Sequence, residues 1–136
     1  MRLEINKRTD LALRAMQELC VREERVAGPV LAEALGTTRQ YLPQIMNPIV
    51  KAKWVHSTPG PHGGYELLVP LEDVTVIQLI EAMEGPTDNN TCVLTGNVCP
   101  SDELCALHGA WQQARAALTG NLDEMTLAEA WAATCG

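Results

Sequence analysis

Apolar positions along this chain fall into short stretches of helical spacing punctuated by Gly and Pro, with one extended stretch between residues 54 and 69. Ala12, Leu13, Met16, Leu19 and Cys20 recur at i, i+1, i+4, i+7 and i+8. That spacing predicts an amphipathic helix running to about Arg22, capped by Thr9 or Asp10. Cys20 lies in the apolar stripe and reads as a small buried hydrophobe. The charged segment from Val21 to Val26 reads as a turn. Gly28 and Pro29 open a second helix that Gly36 closes. Thr37 or Thr38 caps a third, over 39–50, in which Leu42, Ile45, Met46 and Ile49 face a core and Arg39, Gln40, Gln44 and Asn47 face outward. A proline inside a helix loses a backbone bond and costs about 3 kcal/mol, so this helix is expected to kink or break near Pro43 or Pro48.

Trp54 to Thr58 and Tyr65 to Val69 flank the tip Pro59-Gly60-Pro61-His62-Gly63-Gly64, a β-hairpin pattern. Two short helices joined by a glycine turn are a helix-turn-helix pattern, and a hairpin directly after them is a wing. A fourth helix is expected from Val76 to Met83, ended by Gly85-Pro86. Leu107, Trp111, Ala114, Ala117 or Leu118, and Leu122 predict a long helix from His108 to about Leu122. A short last helix follows over 125–133, with Thr126 as its cap. The long helix has little of its own domain to pack on and is expected to bury its stripe against a second subunit, making a two-fold homodimer. The expected fold is mainly α with a small β-wing: a winged helix-turn-helix over 1–84, a cysteine-rich loop over 85–108, and a dimerisation helix with a C-terminal helix over 109–136.

Composition narrows this picture. A chain of 136 residues makes one domain, or one small domain with an extension. With no Phe, its core must be built from Leu, Val, Ile, Ala and Met. No apolar run approaches the roughly 18 residues of a membrane span. Met1-Arg2-Leu3-Glu4 does not open a secretory signal, so a cytoplasmic protein with reduced thiols is expected. The net charge of −7 is unevenly divided. Residues 1–70 carry nine Lys/Arg against seven Asp/Glu, a balance of +2, whereas residues 71–136 carry only Arg115 against ten Asp/Glu, a balance of −9. A nucleic-acid surface therefore belongs to the first half. There Arg39, Gln40 and Gln44 are side-chain types that read base edges.

The candidate chemistry lies in Cys92-x6-Cys99-x5-Cys105-x2-His108. The intervening residues are too rich in Gly, Pro, Asn and Asp for a helix interior, so the chain can fold back and bring thiolates together. Converging thiolates repel unless a cation lies between them, which points to a metal centre. Iron–sulfur clusters take cysteine with occasional histidine; zinc takes the same donors, with its pairs usually closer in sequence. A disulfide or inert thiols are the remaining readings. The odd total of five cysteines argues against a secreted disulfide framework. Cys105 and His108 as a nucleophile pair would need a third orienting group and a pocket; the sequence offers neither, so the chain does not read as an enzyme.

Several of these segments together resemble the winged-helix bacterial regulators that include IscR and NsrR. The resemblance is carried by Met1-Arg2-Leu3, Thr9-Asp10-Leu11-Ala12-Leu13-Arg14, Tyr41-Leu42, Gly60-Pro61-His62-Gly63-Gly64-Tyr65, Glu84-Gly85-Pro86 and the three cysteines. It implies a homodimeric, double-stranded-DNA-binding transcription regulator whose promoter affinity follows an iron–sulfur cluster responding to redox change, iron or nitric oxide. IscR-like members use a histidine three residues after the last cysteine. His108 fits that position and implies a [2Fe–2S] centre on Cys92, Cys99, Cys105 and His108. NsrR-like members use an N-terminal aspartate of the partner subunit in a [4Fe–4S] centre, and Asp10 falls at that position. Arg2, Lys7, Thr38, Arg39, Gln40, Tyr41, Gln44, Lys51, Gly60, His62 and Gly63 are the expected DNA contacts, with Lys53 as a further phosphate partner. The first cysteine gap is one residue longer than in the IscR pattern. Pro43 and Pro59 replace a glutamate and an arginine of IscR, so operator preference does not carry over.

Overall fold

The computed structural model describes residues 2–88, 91–98 and 105–131. Helices α1 (Lys7–Arg22), α2 (Gly28–Leu35) and α3 (Leu42–Lys51) are followed by strands β1 (Val55–Thr58) and β2 (Gly64–Leu67). A short 3-10 turn (Leu71–Asp73), α4 (Val76–Glu84), α5 (His108–Glu124) and α6 (Leu127–Trp131) complete the described elements. The winged helix-turn-helix, the wing and the long trailing helix stand in the predicted order.

Helix α1 starts earlier than either predicted cap. Asn6 is the N-cap, its Oδ1 accepting from the Thr9 backbone N–H at 2.8 Å. Thr9 is fully buried, and its hydroxyl lies 2.9 Å from Asn6 Oδ1 and 2.6 Å from Glu84 Oε2 at the end of α4. Asp10 lies in the first turn, where its charge favours the helix dipole. The predicted stripe is the buried face: Ala12, Met16, Leu19 and Cys20 pack into one core with Leu31, Ile45, Met46, Ile49 and Leu79. Each large aliphatic side chain buried this way contributes about 1.5–3 kcal/mol.

Helix α2 ends at Gly36, whose left-handed φ of 69° lets its N–H reach back to the Ala32 and Glu33 carbonyls. Helix α3 begins at Leu42, later than predicted. Arg39, Gln40 and Tyr41 form a turn before it, held by Thr38, whose hydroxyl accepts from the Tyr41 N–H at 3.1 Å. This start explains Pro43, which falls in the first helical turn, where no intrahelical donor is lost. The expected break at Pro48 does not occur; α3 continues through it to Lys51. Burial of Ile45, Met46 and Ile49 on the core side offsets the one missing backbone bond.

The wing is a two-stranded antiparallel hairpin pairing Val55 with Leu67 and Thr58 with Gly64. It is tied to the α1–α2 connection by reciprocal backbone bonds between Val26 and Tyr65, both 2.8 Å. Gly64 makes this approach possible, since a Cβ there would lie 2.3 Å from the Val26 carbonyl oxygen. Helix α4 opens on a capping box between Thr75 and Gln78.

Helix α5 contains no buried residue. Its half-buried side carries His108, Trp111, Arg115, Thr119 and Leu122, whereas Ala114, Ala117 and Leu118 of the predicted stripe are exposed. Helix α6 folds back: Val76 donates to the Met125 carbonyl and Leu127 to that of Val74, each at 2.8 Å, and Leu127 enters the core. Thr126 caps it as predicted, accepting from the Glu129 N–H. Among the described residues, no helix is long and apolar enough to cross a membrane.

Candidate functional site

Two regions gather the residues with chemical potential, one at the start of α5 and one across α3 and the wing. At the first, the segment after α4 turns at Cys92, whose carbonyl accepts from the Gly96 N–H at 2.8 Å and whose N–H donates to the Asn97 carbonyl at 2.6 Å. Gly96 permits that turn with a φ of 76°. Thr91 and Val98 pair across it as an antiparallel bridge. The turn puts the Cys92 thiol inward, buried, with the Leu94 N–H directed at its sulfur at 3.4 Å.

Cys105 approaches from the other end of the loop. Its carbonyl accepts from the His108 N–H at 3.0 Å, which starts α5 immediately after it. The Cys92 and Cys105 sulfurs lie 3.8 Å apart. Two thiolates bound to one tetrahedral ion, with metal–sulfur bonds of about 2.3 Å, stand about 3.8 Å apart as well. A small cavity is lined by both thiols together with Thr91, His108, Trp111 and Arg115. Its donors are thiolate and imidazole, the set that iron–sulfur centres and zinc both accept.

Two further ligands are predicted. Cys99 lies outside the described residues. Asp10 does not line the cavity; it pairs within α1 with Lys7 at 3.4 Å and Arg14 at 3.3 Å. Among the described residues, no three His, Cys, Asp or Glu side chains converge as a complete ion site. The sequence reading missed Arg115 as a wall of the cavity, although its being the sole cation after residue 70 was a usable signal.

The second region is the surface of α3 and the wing. Thr38, Arg39, Gln40, Gln44 and Lys51 are exposed and Tyr41 is half-buried, while the opposite side of α3 is core. Gly60 and His62 are exposed at the wing tip, where the Gly63 N–H closes a turn onto the Gly60 carbonyl at 3.0 Å. Arg39 and the wing residues Thr58, Gly60 and Gly63 line one cleft with Gly28 at the start of α2. Among the described residues, no carboxylate pairs with Arg39, Lys51 or Lys53, whereas Arg2 pairs with Glu4 and Lys7 with Asp10. A helix turn and a wing presenting unpaired cations and amides on one side is an arrangement that can follow a duplex backbone while side chains enter the major groove. Tyr65, at the root of the wing, has its pKa raised above the ordinary tyrosine value of 10.0 by burial.

Known proteins share this architecture. The chain matches the Rrf2 family, described as iron-dependent transcriptional regulators, over residues 5–133. The transcriptional regulator IscR of Escherichia coli is 32% identical over 122 residues, covering 87% of this chain and 74% of IscR. The structure of CymR, the global cysteine regulator of B. subtilis, superposes with a TM-score of 0.76 at 26% identity, covering 96% of this chain and 98% of CymR. That of T. potens IscR superposes with a TM-score of 0.71 at 24% identity, covering 96% and 87%, a likeness of fold. These relatives are regulators rather than enzymes, and this winged helix-turn-helix chain belongs to the Rrf2 family of DNA-binding transcriptional regulators.

Proposed function

We propose that this chain is a homodimeric repressor or activator whose promoter affinity is set by an iron–sulfur centre. The observation that carries the reading is the shared cavity of Cys92, Cys105 and His108, with the two sulfurs spaced as ligands of one metal ion. Cys92, Cys99, Cys105 and His108 would hold a [2Fe–2S] centre, the ligand set favoured by the position of His108 on the cavity wall. Asp10 supplied by a partner would instead favour [4Fe–4S]. The centre's chemistry, when bound, is one-electron exchange and reaction with nitric oxide or oxidants.

The chain's own residues translate that state into DNA affinity. Arg39, Gln40 and Gln44 enter the major groove, and Thr38, Tyr41, Lys51 and Lys53 contact phosphates beside it. Gly60, His62 and Gly63 of the wing follow the adjacent backbone, with Arg2 and Lys7 as outlying cations. Helix α5 starts on the cavity wall at His108, and its exposed face of Ala110, Ala114, Ala117 and Leu118 would supply the two-fold contact. Loss of a shared ligand on Cys92, Cys105 and His108 would free the start of α5, and α5 would then change the spacing of the two recognition elements, a shift between two dimer geometries.

The test is the visible spectrum of anaerobically purified protein, followed by promoter binding of the loaded and stripped forms. Charge-transfer bands with a change in affinity or sequence preference on stripping are expected. Equal binding by both forms would overturn the sensing role, and a colourless, redox-silent protein would leave a winged-helix regulator with zinc or no metal.

A further inference from the structure

Arg115 is the only Lys or Arg between residues 71 and 136, where ten Asp and Glu stand. The open face of α5 is available to a cation with no task, but Arg115 is on the half-buried face, seven residues after His108. Residues seven apart lie on one side of a helix. Arg115 accordingly lines the same cavity as the Cys92 and Cys105 thiols and His108. Its Nη1 stands 3.8 Å from Asp88 Oδ1, and the two side chains differ in exposure, 23% for the arginine and 62% for the aspartate. Solvent screens the carboxylate more than the guanidinium, so Asp88 neutralises only part of the positive charge directed at the cavity.

We infer that Arg115 is a charge-compensating positioning residue for the metal centre of this cavity, with Asp88 tempering its effect; the inference rests on the cluster reading above. Three thiolates outweigh the formal charge of an oxidised [2Fe–2S] core, so the centre is anionic and becomes more so when it accepts an electron. A nearby cation favours the reduced form over the oxidised one and raises the reduction potential. Arg115 thus sets how readily the centre is reduced, and the regulator's response threshold with it.

The experiment is a dithionite titration of cluster-loaded wild type, Arg115→Gln, Arg115→Lys and Asp88→Asn, followed by visible absorption to give each midpoint potential. Arg115→Gln is expected to shift the potential down, Arg115→Lys to stay near wild type, and Asp88→Asn to shift it up. If the pair were only a fastening of the loop onto α5, Arg115→Gln and Asp88→Asn would change the protein in the same direction, because each breaks it. Same-sign shifts, or an unchanged potential in Arg115→Gln at full loading, would overturn the inference. If Arg115→Gln does not hold a cluster, Asp88→Asn still decides: an upward shift beside an Arg115→Lys potential near wild type is expected, and an unchanged or lowered potential in Asp88→Asn would overturn the inference. A wild type that takes up no cluster on anaerobic reconstitution would fail the cluster reading itself, an outcome visible before any variant is made.

Discussion

The sulfur of Cys92 lies 3.8 Å from that of Cys105, although thirteen residues separate them in sequence. Each end is held by backbone bonds, the first through the turn at Gly96 and the second through the start of α5. A metal held here would therefore draw one thiol from each end of the loop. Replacing either Cys92 or Cys105 by Ser is expected to abolish cluster loading, read as loss of visible absorption and of bound iron, while far-ultraviolet circular dichroism stays near wild type. His108→Ala and Asp10→Ala separate the two ligand sets: loss or a spectral change in the first alone assigns the fourth ligand to His108.

DNA affinity is expected to depend on Arg39 and Lys51 in different ways. Arg39→Ala should cost about 1–3 kcal/mol and relax base preference at one position, as loss of a base contact does. Lys51→Ala should weaken all sequences alike and reduce the salt dependence by about one phosphate contact. Mobility shifts across a salt series check both.

The wing's attachment predicts an asymmetry between two glycines. Gly64→Ala brings a Cβ to 2.3 Å from the Val26 carbonyl oxygen, a backbone atom held in the bridge to Tyr65. It should cost on the order of 1–3 kcal/mol and weaken DNA binding as well. Gly36→Ala meets no atom within 4 Å and carries only the penalty of a left-handed φ of 69°. It should cost about 1–2 kcal/mol and leave wing contacts intact. Thermal denaturation with binding assays distinguishes them.

Burial of Tyr65 raises its pKa above 10.0, so the folded state holds the phenol proton more tightly than the unfolded chain. The associated stability is present below pH 10 and is lost as pH rises through the folded value. Stability should therefore fall above about pH 10, and Tyr65→Phe should lack that part of the fall, as denaturant titrations at pH 9 and 11 would register.

The exposed small-residue face of α5 predicts the assembly state. Ala117→Glu places a charge in the middle of that face. Sedimentation should show a dimer for wild type and a monomer for the variant, with weaker binding to a two-fold operator.

The sequence by itself determined the order and type of the elements, because these rest on local signals. Apolar spacing marked α1, Gly85-Pro86 marked the end of α4, Gly36 marked the end of α2, and the Gly-rich tip marked the wing. In the cysteine loop, residue types alone limit which metals could bind. Tertiary structure decided what depends on residues distant in sequence. Asn6, Thr9 and Asp10 all suit a cap, but Glu84 receives the Thr9 hydroxyl and leaves Asn6 as the cap. Pro43 threatened a helix until the turn at 39–41 moved the start of α3 beneath it. The Val26–Tyr65 bridge, the return of Leu127 to the core and the place of Arg115 beside the thiols join segments whose separation no periodicity encodes. The folded chain fixes those pairings by burying apolar surface and satisfying backbone groups together, a condition that belongs to the whole domain.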